Sequence, residues 1–255
     1  MTERLKYLRL CAWSGPAFLA IFIVFWGILG HNIPPLPADL PAQAIADHYR
    51  LNANEVRLGM GMSMSFAVLY MIWGLAIAKV MQYGVEKDND VLSTIELWGA
   101  GLTVVPLLVS SSFWLAGAYR PEGLDDSVLQ LFYDLPWLLI DVAYMVTSVQ
   151  MFALGVAFLK DERAVPLVPK WLCWYGIWVG FMFVAEVLMP FFTSGPFARH
   201  GVLNFWIEFF IWFFWIVALS GYVLIAIGRL EAEARGIVVD ARAPRLAPAG
   251  SVANA

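Results

Sequence analysis

The chain has 255 residues, of which 61% are hydrophobic and 14% charged, with a net charge of −4 and a mean hydropathy of +0.71. Soluble domains run nearer to about 45–50% apolar and about 25% charged, so this composition excludes a water-soluble globular domain. No basic face is present, which excludes nucleic acid as a partner, and the acidic residues are scattered over loops and helix ends.

The apolar residues fall into six runs, each near the roughly 20 residues that cross about 30 Å of hydrocarbon at 1.5 Å per residue. The first run, 12–30, is longer than the apolar core of a cleaved signal peptide and is followed by no A-x-A-like site, so it reads as a retained helix. An outer segment, 31–56, begins with Ile33, Pro34, Pro35, Leu36 and Pro37, which predict extended backbone. It continues with Ala42, Ile45, Ala46 and Tyr49 at helical spacing. That half predicts a short amphipathic helix, either capping the outer mouth of the bundle or resting on the lipid interface.

The second run is 58–82 and the third 92–118, with Pro106 at its middle. A mid-helix proline frees a carbonyl, for which Ser110, Ser111 and Ser112 are the expected partners. The fourth run, 136–159, opens at Asp134-Leu135-Pro136-Trp137-Leu138. The fifth, 171–190, carries Gly176 and Gly180 as a G-x-x-x-G that serves an internal contact or a dimer. The sixth is 203–228, and no inverted pair of broken helices is legible among the six. Residues 1–230 thus form one all-α transmembrane domain, a polytopic helical bundle, and 231–255 is expected to be a disordered cytoplasmic tail.

Lysines and arginines set the orientation. With the N-terminus inside, twelve of them lie on the inner side (Arg4, Lys6, Arg9, Lys79, Lys87, Lys160, Arg163, Lys170, Arg229, Arg235, Arg242 and Arg245). Only four, Arg50, Arg57, Arg120 and Arg199, lie outside. Both termini are therefore placed in the cytoplasm, in a multi-pass protein of the inner (plasma) membrane. Cys11 and Cys173 fall near the cytoplasmic ends of their helices, where a structural disulfide is not expected.

Ionisable groups within the spans carry the chemistry, because each costs about 2.5–3.5 kcal/mol at a helix centre. Asp141, Glu186 and Glu208 come from three consecutive helices and, counted from the outer ends, fall at one depth of roughly 6–8 Å; Glu96 lies near the inner end of the third. The three acids therefore predict one polar pocket open to the outside.

Residues on common faces extend that pocket. Asp134, Asp141, Tyr144 and Ser148 align on the fourth helix, and Glu96, Thr103, Ser110 and Gly117 on the third. Tyr175, Met182 and Glu186 align on the fifth, and Asn204, Glu208, Trp212 and Trp215 on the sixth. Arg57 and Arg199 are the expected counter-charges at that level; the alternative is that pairs such as Arg57 with Glu208 or Arg199 with Glu186 only pin helix ends together, with no ligand or proton site. Trp212 and Trp215 are candidate walls for a flat ligand, against the alternative of packing toward lipid.

His31, His48 and His200 all lie outside the hydrocarbon, which excludes a buried bis-histidine haem. No cofactor and no metal site is expected, since no pair of histidines has a recognised ligand spacing. The outer proline-rich segment, the Asp134-Leu135-Pro136-Trp137-Leu138 opening and Ser194-Gly195-Pro196-Phe197-Ala198 before the sixth helix resemble a group of uncharacterised six-helix bacterial integral membrane proteins. That resemblance implies the fold and carries no chemistry.

The leading expectation is a carrier that binds and moves a small, partly apolar or amphipathic molecule, with Asp141, Glu186 and Glu208 supplying recognition or proton coupling. An intramembrane acid-base enzyme of the isomerase or cyclase type would use Asp141 and Glu208 as catalytic groups on a lipid-soluble substrate. A third alternative is an accessory subunit docking a second copy of itself or another membrane protein through its aromatic and glycine faces.

Overall fold

The computed structural model describes residues 2–86 and 89–236. Among them the regular structure is entirely helical, and six segments are long and apolar enough to cross a membrane: Tyr7–Leu29, Ala42–Glu86, Val91–Tyr119, Asp126–Leu159, Lys170–Phe191 and Val202–Ala234. These are the first to sixth spans of an all-α bundle, the fold class that composition and run length predict. Lys87, Arg242, Arg245 and the expected disordered tail beyond Gly236 lie outside the described residues.

Two spans begin well before the apolar runs do. The second starts at Ala42 because the amphipathic segment joins it as a single helix, Ala42–Phe66, bent at Asn52 (φ −109°, ψ 15°). The Asn52 side-chain amide donates to the His48 carbonyl at 3.1 Å, a local bond that competes with regular helix. The fourth starts at Asp126, so Pro136 lies inside its first helix, Asp126–Val142, instead of opening it. The missing N–H of Pro136 frees the Phe132 carbonyl, and the Tyr49 hydroxyl donates to it at 3.2 Å.

Ile45, Ala46 and Tyr49 are buried against the protein. The amphipathic segment is therefore a cap on the bundle and does not rest its apolar face on lipid. The sixth span likewise outruns its apolar run, continuing to Ala234. Glu231 on its last turns pairs with Arg9 at 2.7 Å, so residues 231–234 belong to the helix and not to the tail.

Each span packs on its neighbours in the chain, and the sixth closes on the first, making a ring. The first two spans touch backbone to backbone: a Cβ on Gly59 would collide with the Phe25 carbonyl oxygen and stand 2.7 Å from the Gly30 nitrogen. Aromatic side chains fill the ring. Phe22 stacks on Trp26 at 4.5 Å between centroids, Trp26 meets Trp137 edge to face at 5.7 Å, and Trp73 meets Trp215 at 5.2 Å. Such pairs add about 0.5–1.5 kcal/mol each beyond area burial and leave little open space inside.

The expected serine partners of the Pro106 kink are engaged elsewhere. Ser110 donates to the Pro136 carbonyl at 2.9 Å, Ser112 to its own helix at Val109, and Ser111 has no partner. Ser110 thus joins the third span to the fourth.

Candidate functional site

Asp141, Glu186 and Glu208 meet in the interior, at 4%, 2% and 1% exposure. Each sits where its span departs from regular α-helix. Asp141 immediately precedes the break between Val142 and Met145, Glu186 lies in a 3₁₀ stretch, Phe183–Phe191, and Glu208 marks the junction of a π-helical turn, Val202–Ile207, with the α-helix that follows. Irregular turns of this kind recur at functional positions because they redirect side chains and free backbone groups. Of these breaks, the one at Glu186 lies four residues before Pro190, and the other two have no proline or glycine at the acid to announce them.

The Glu186 and Glu208 carboxyls are within hydrogen-bond reach of each other, and Asp141 lies within electrostatic range of Glu208. Two carboxylates in contact repel unless a proton lies between them. The Asn204 amide donates to Asp141 Oδ2 at 3.3 Å, while Asn204 Oδ1, Glu186 Oε2 and both Glu208 oxygens have no partner. Tyr144, one turn beyond Asp141, is within electrostatic range of all three acids and of Tyr70.

The two expected counter-charges are placed differently. Arg57 donates to the Ala118 and Tyr119 carbonyls at 2.8 and 3.0 Å, satisfying the end of the third span, and makes no pair with Glu208. Arg199 pairs with Asp134 instead of Glu186. It also donates to the Leu36 and Pro37 carbonyls at 2.8 and 3.0 Å and stacks over Tyr133 at 4.8 Å. Both arginines stand near orphan carbonyls of loops and helix ends, and a guanidinium's five donors suit several such acceptors at once. Asp134 is accordingly part of the outer cap. No ion pair among the described residues includes Asp141, Glu186 or Glu208.

Beside Tyr144 lies a cavity of about 10 Å³, lined by Phe18, Phe22, Tyr70, Thr103, Tyr144 and Trp212 among others. It is close to the space one water needs. Trp212 lines this water-sized space. Trp215 does not; it packs against Trp73 and against Gly176, where a Cβ would stand 2.7 Å from its indole nitrogen. Gly180 is filled in the same way by Phe152, so the G-x-x-x-G serves internal contacts.

Beneath the cavity is a network that the sequence did not suggest. Tyr70 donates to Gln150 Oε1 at 2.9 Å, and Gln150 donates to Glu96 Oε1 at 2.9 Å. All three are buried, and Glu96 Oε2 has no partner. Glu96 was legible as an intramembrane acid, whereas Gln150 and Tyr70 carry no charge that would mark them. Among the described residues, no group of three or more His, Cys, Asp or Glu side chains is arranged to hold a metal ion.

Fold and site together define a multi-pass helical membrane protein with a cluster of carboxyls enclosed among its spans. Comparison with protein-family models, curated proteins and solved structures finds no match to the chain.

Proposed function

We propose that the protein carries a small, partly apolar molecule across the plasma membrane, binding it at Asp141, Glu186 and Glu208 and exchanging it for protons, with both termini in the cytoplasm. The observation that carries this reading is the meeting of three carboxyls from three consecutive spans, buried, unpaired with any cation, and with oxygens left free of hydrogen bonds. An intramembrane charge is expensive unless it is used, and purely structural acids would be expected to pair as Asp134 does. The twelve-to-four division of basic residues supports the orientation.

The enzyme alternative would set Asp141 and Glu208 to add and remove a proton on a lipid-soluble substrate, and conversion of a solute without a gradient separates it from the carrier. The cavity beside Tyr144 and Trp212 has room for about one water, so a larger molecule needs the site to open.

The test is uptake into sealed proteoliposomes of a panel of small amphipathic solutes, with and without an imposed pH gradient. Wild type accumulates at least one solute when the gradient is present. Glu208→Gln and Asp141→Asn abolish that accumulation at undiminished amounts of folded protein. Gradient-independent chemical conversion of a solute, or equal loss of folded protein and uptake, would overturn the reading.

A further inference from the structure

The polar atoms left free around the carboxyl cluster are acceptors, except for the indole N–H of Trp212. Glu208 contributes two carboxyl oxygens and Glu186 one, and the Asn204 carbonyl is 3% exposed and unpartnered while its own amide is committed to Asp141. Asn204 matters because it is not an acid: its amide oxygen only accepts, and it is met either by a protonated carboxyl beside it or by a donor on the molecule bound.

The nearby cation is already used. Arg199 is held by Asp134 and two loop carbonyls. Of the groups facing the cluster, Asp141 comes from the fourth span, Glu186 from the fifth, Glu208 from the sixth, Tyr144 from the fourth and Tyr70 from the second, with Arg199 the one basic group in electrostatic range. Rings stand next to them, with Tyr144 5.1 Å from Phe183 and 5.7 Å from Trp212 between centroids.

We infer that the molecule carried is an organic cation with N–H donors, a protonated primary amine on a flat apolar body, whose ammonium group takes the place of protons among Asp141, Glu186, Glu208 and the Asn204 carbonyl. This rests on the carrier reading above. The ammonium supplies donors to the free oxygens, its charge replaces that of the protons released, and aromatic faces attract it further. Neutral and anionic molecules of the same shape offer the Asn204 carbonyl no charged donor. The exchange balances: one ammonium enters as one proton leaves one of the carboxyls to bulk water, so the charge of the site is unchanged.

The test uses the purified full-length protein in detergent, lightly buffered with a pH-indicating dye. It is titrated with benzylammonium chloride, with benzyl alcohol and sodium benzoate as shape-matched controls. Benzylammonium gives a saturable change in tryptophan fluorescence with stoichiometric proton release. Its apparent affinity rises about tenfold per pH unit for each proton displaced, while the cluster is protonated. Glu208→Gln removes the proton release, and Asn204→Leu, chosen because it leaves every carboxyl in place, weakens benzylammonium binding at least tenfold.

Benzyl alcohol binding as well as the amine, benzylammonium binding without proton release, or no binding of benzylammonium to folded wild type would each overturn the inference. Saturable benzyl alcohol binding that Glu208→Gln abolishes would do so while leaving the carrier reading intact.

Discussion

Arg199 shows how one side chain holds the outer cap together. It is 4% exposed and joins the proline-rich segment, through the Leu36 and Pro37 carbonyls, to Asp134 on the fourth span. Hydrogen bonds to charged groups contribute roughly 1.5–3 kcal/mol each, so Arg199→Ala should lower stability by about 2–4 kcal/mol, read as a fall of several degrees in thermal unfolding in detergent. Arg199→Lys recovers less than half of that loss, because an ammonium cannot fork toward two carbonyls and a carboxylate at once.

A second residue-level prediction concerns Gln150, which donates to Glu96 and accepts from Tyr70. Gln150→Leu leaves both partners without a bond inside the membrane, at about 1–3 kcal/mol for each. Glu96→Gln keeps an oxygen for the Gln150 amide and stays within about 1 kcal/mol of wild type. Denaturation midpoints of the two variants separate them, and equal midpoints would show that the network contributes little.

At the scale of elements, the spans were legible where apolar runs are long, and their ends were not. The 42–52 helix and the 126–135 turns are too polar to join an apolar run, yet both are continuous with spans, because Ile45, Ala46, Tyr49, Leu129 and Tyr133 bury against the bundle. The three acids were legible because charge inside a span is rare. Their partners were not, because whether Arg57 meets Glu208 or the Ala118 carbonyl depends on packing that no periodicity encodes. The bond from Tyr49 to Phe132 is a case of the same kind. Pro136 announces a free carbonyl, but only the assembled cap shows what meets it.

Helix contact is set by backbone approach at Gly59, where a side chain would strike the Phe25 carbonyl. Gly59→Ala should force the first two spans apart and destabilise by about 1–3 kcal/mol. Gly61→Ala, whose Cβ meets nothing, leaves the midpoint unchanged. Thermal unfolding of the pair checks the claim with the same substitution two residues apart.

At the scale of the whole molecule, a closed ring of six helices packed with aromatic rings surrounds one enclosed patch of acids, and the outer cap lies over it. The order of packing follows the order of synthesis, with one exception: the last span must come back to lie on the first. Until Val202–Ala234 has left the ribosome, Asp141 and Glu186 lack both Asn204 and Glu208, and two costly acids face an unfinished groove. A chain truncated before Val202 would therefore leave Asp141 without the Asn204 amide that meets it, and its insertion should be less stable for the loss.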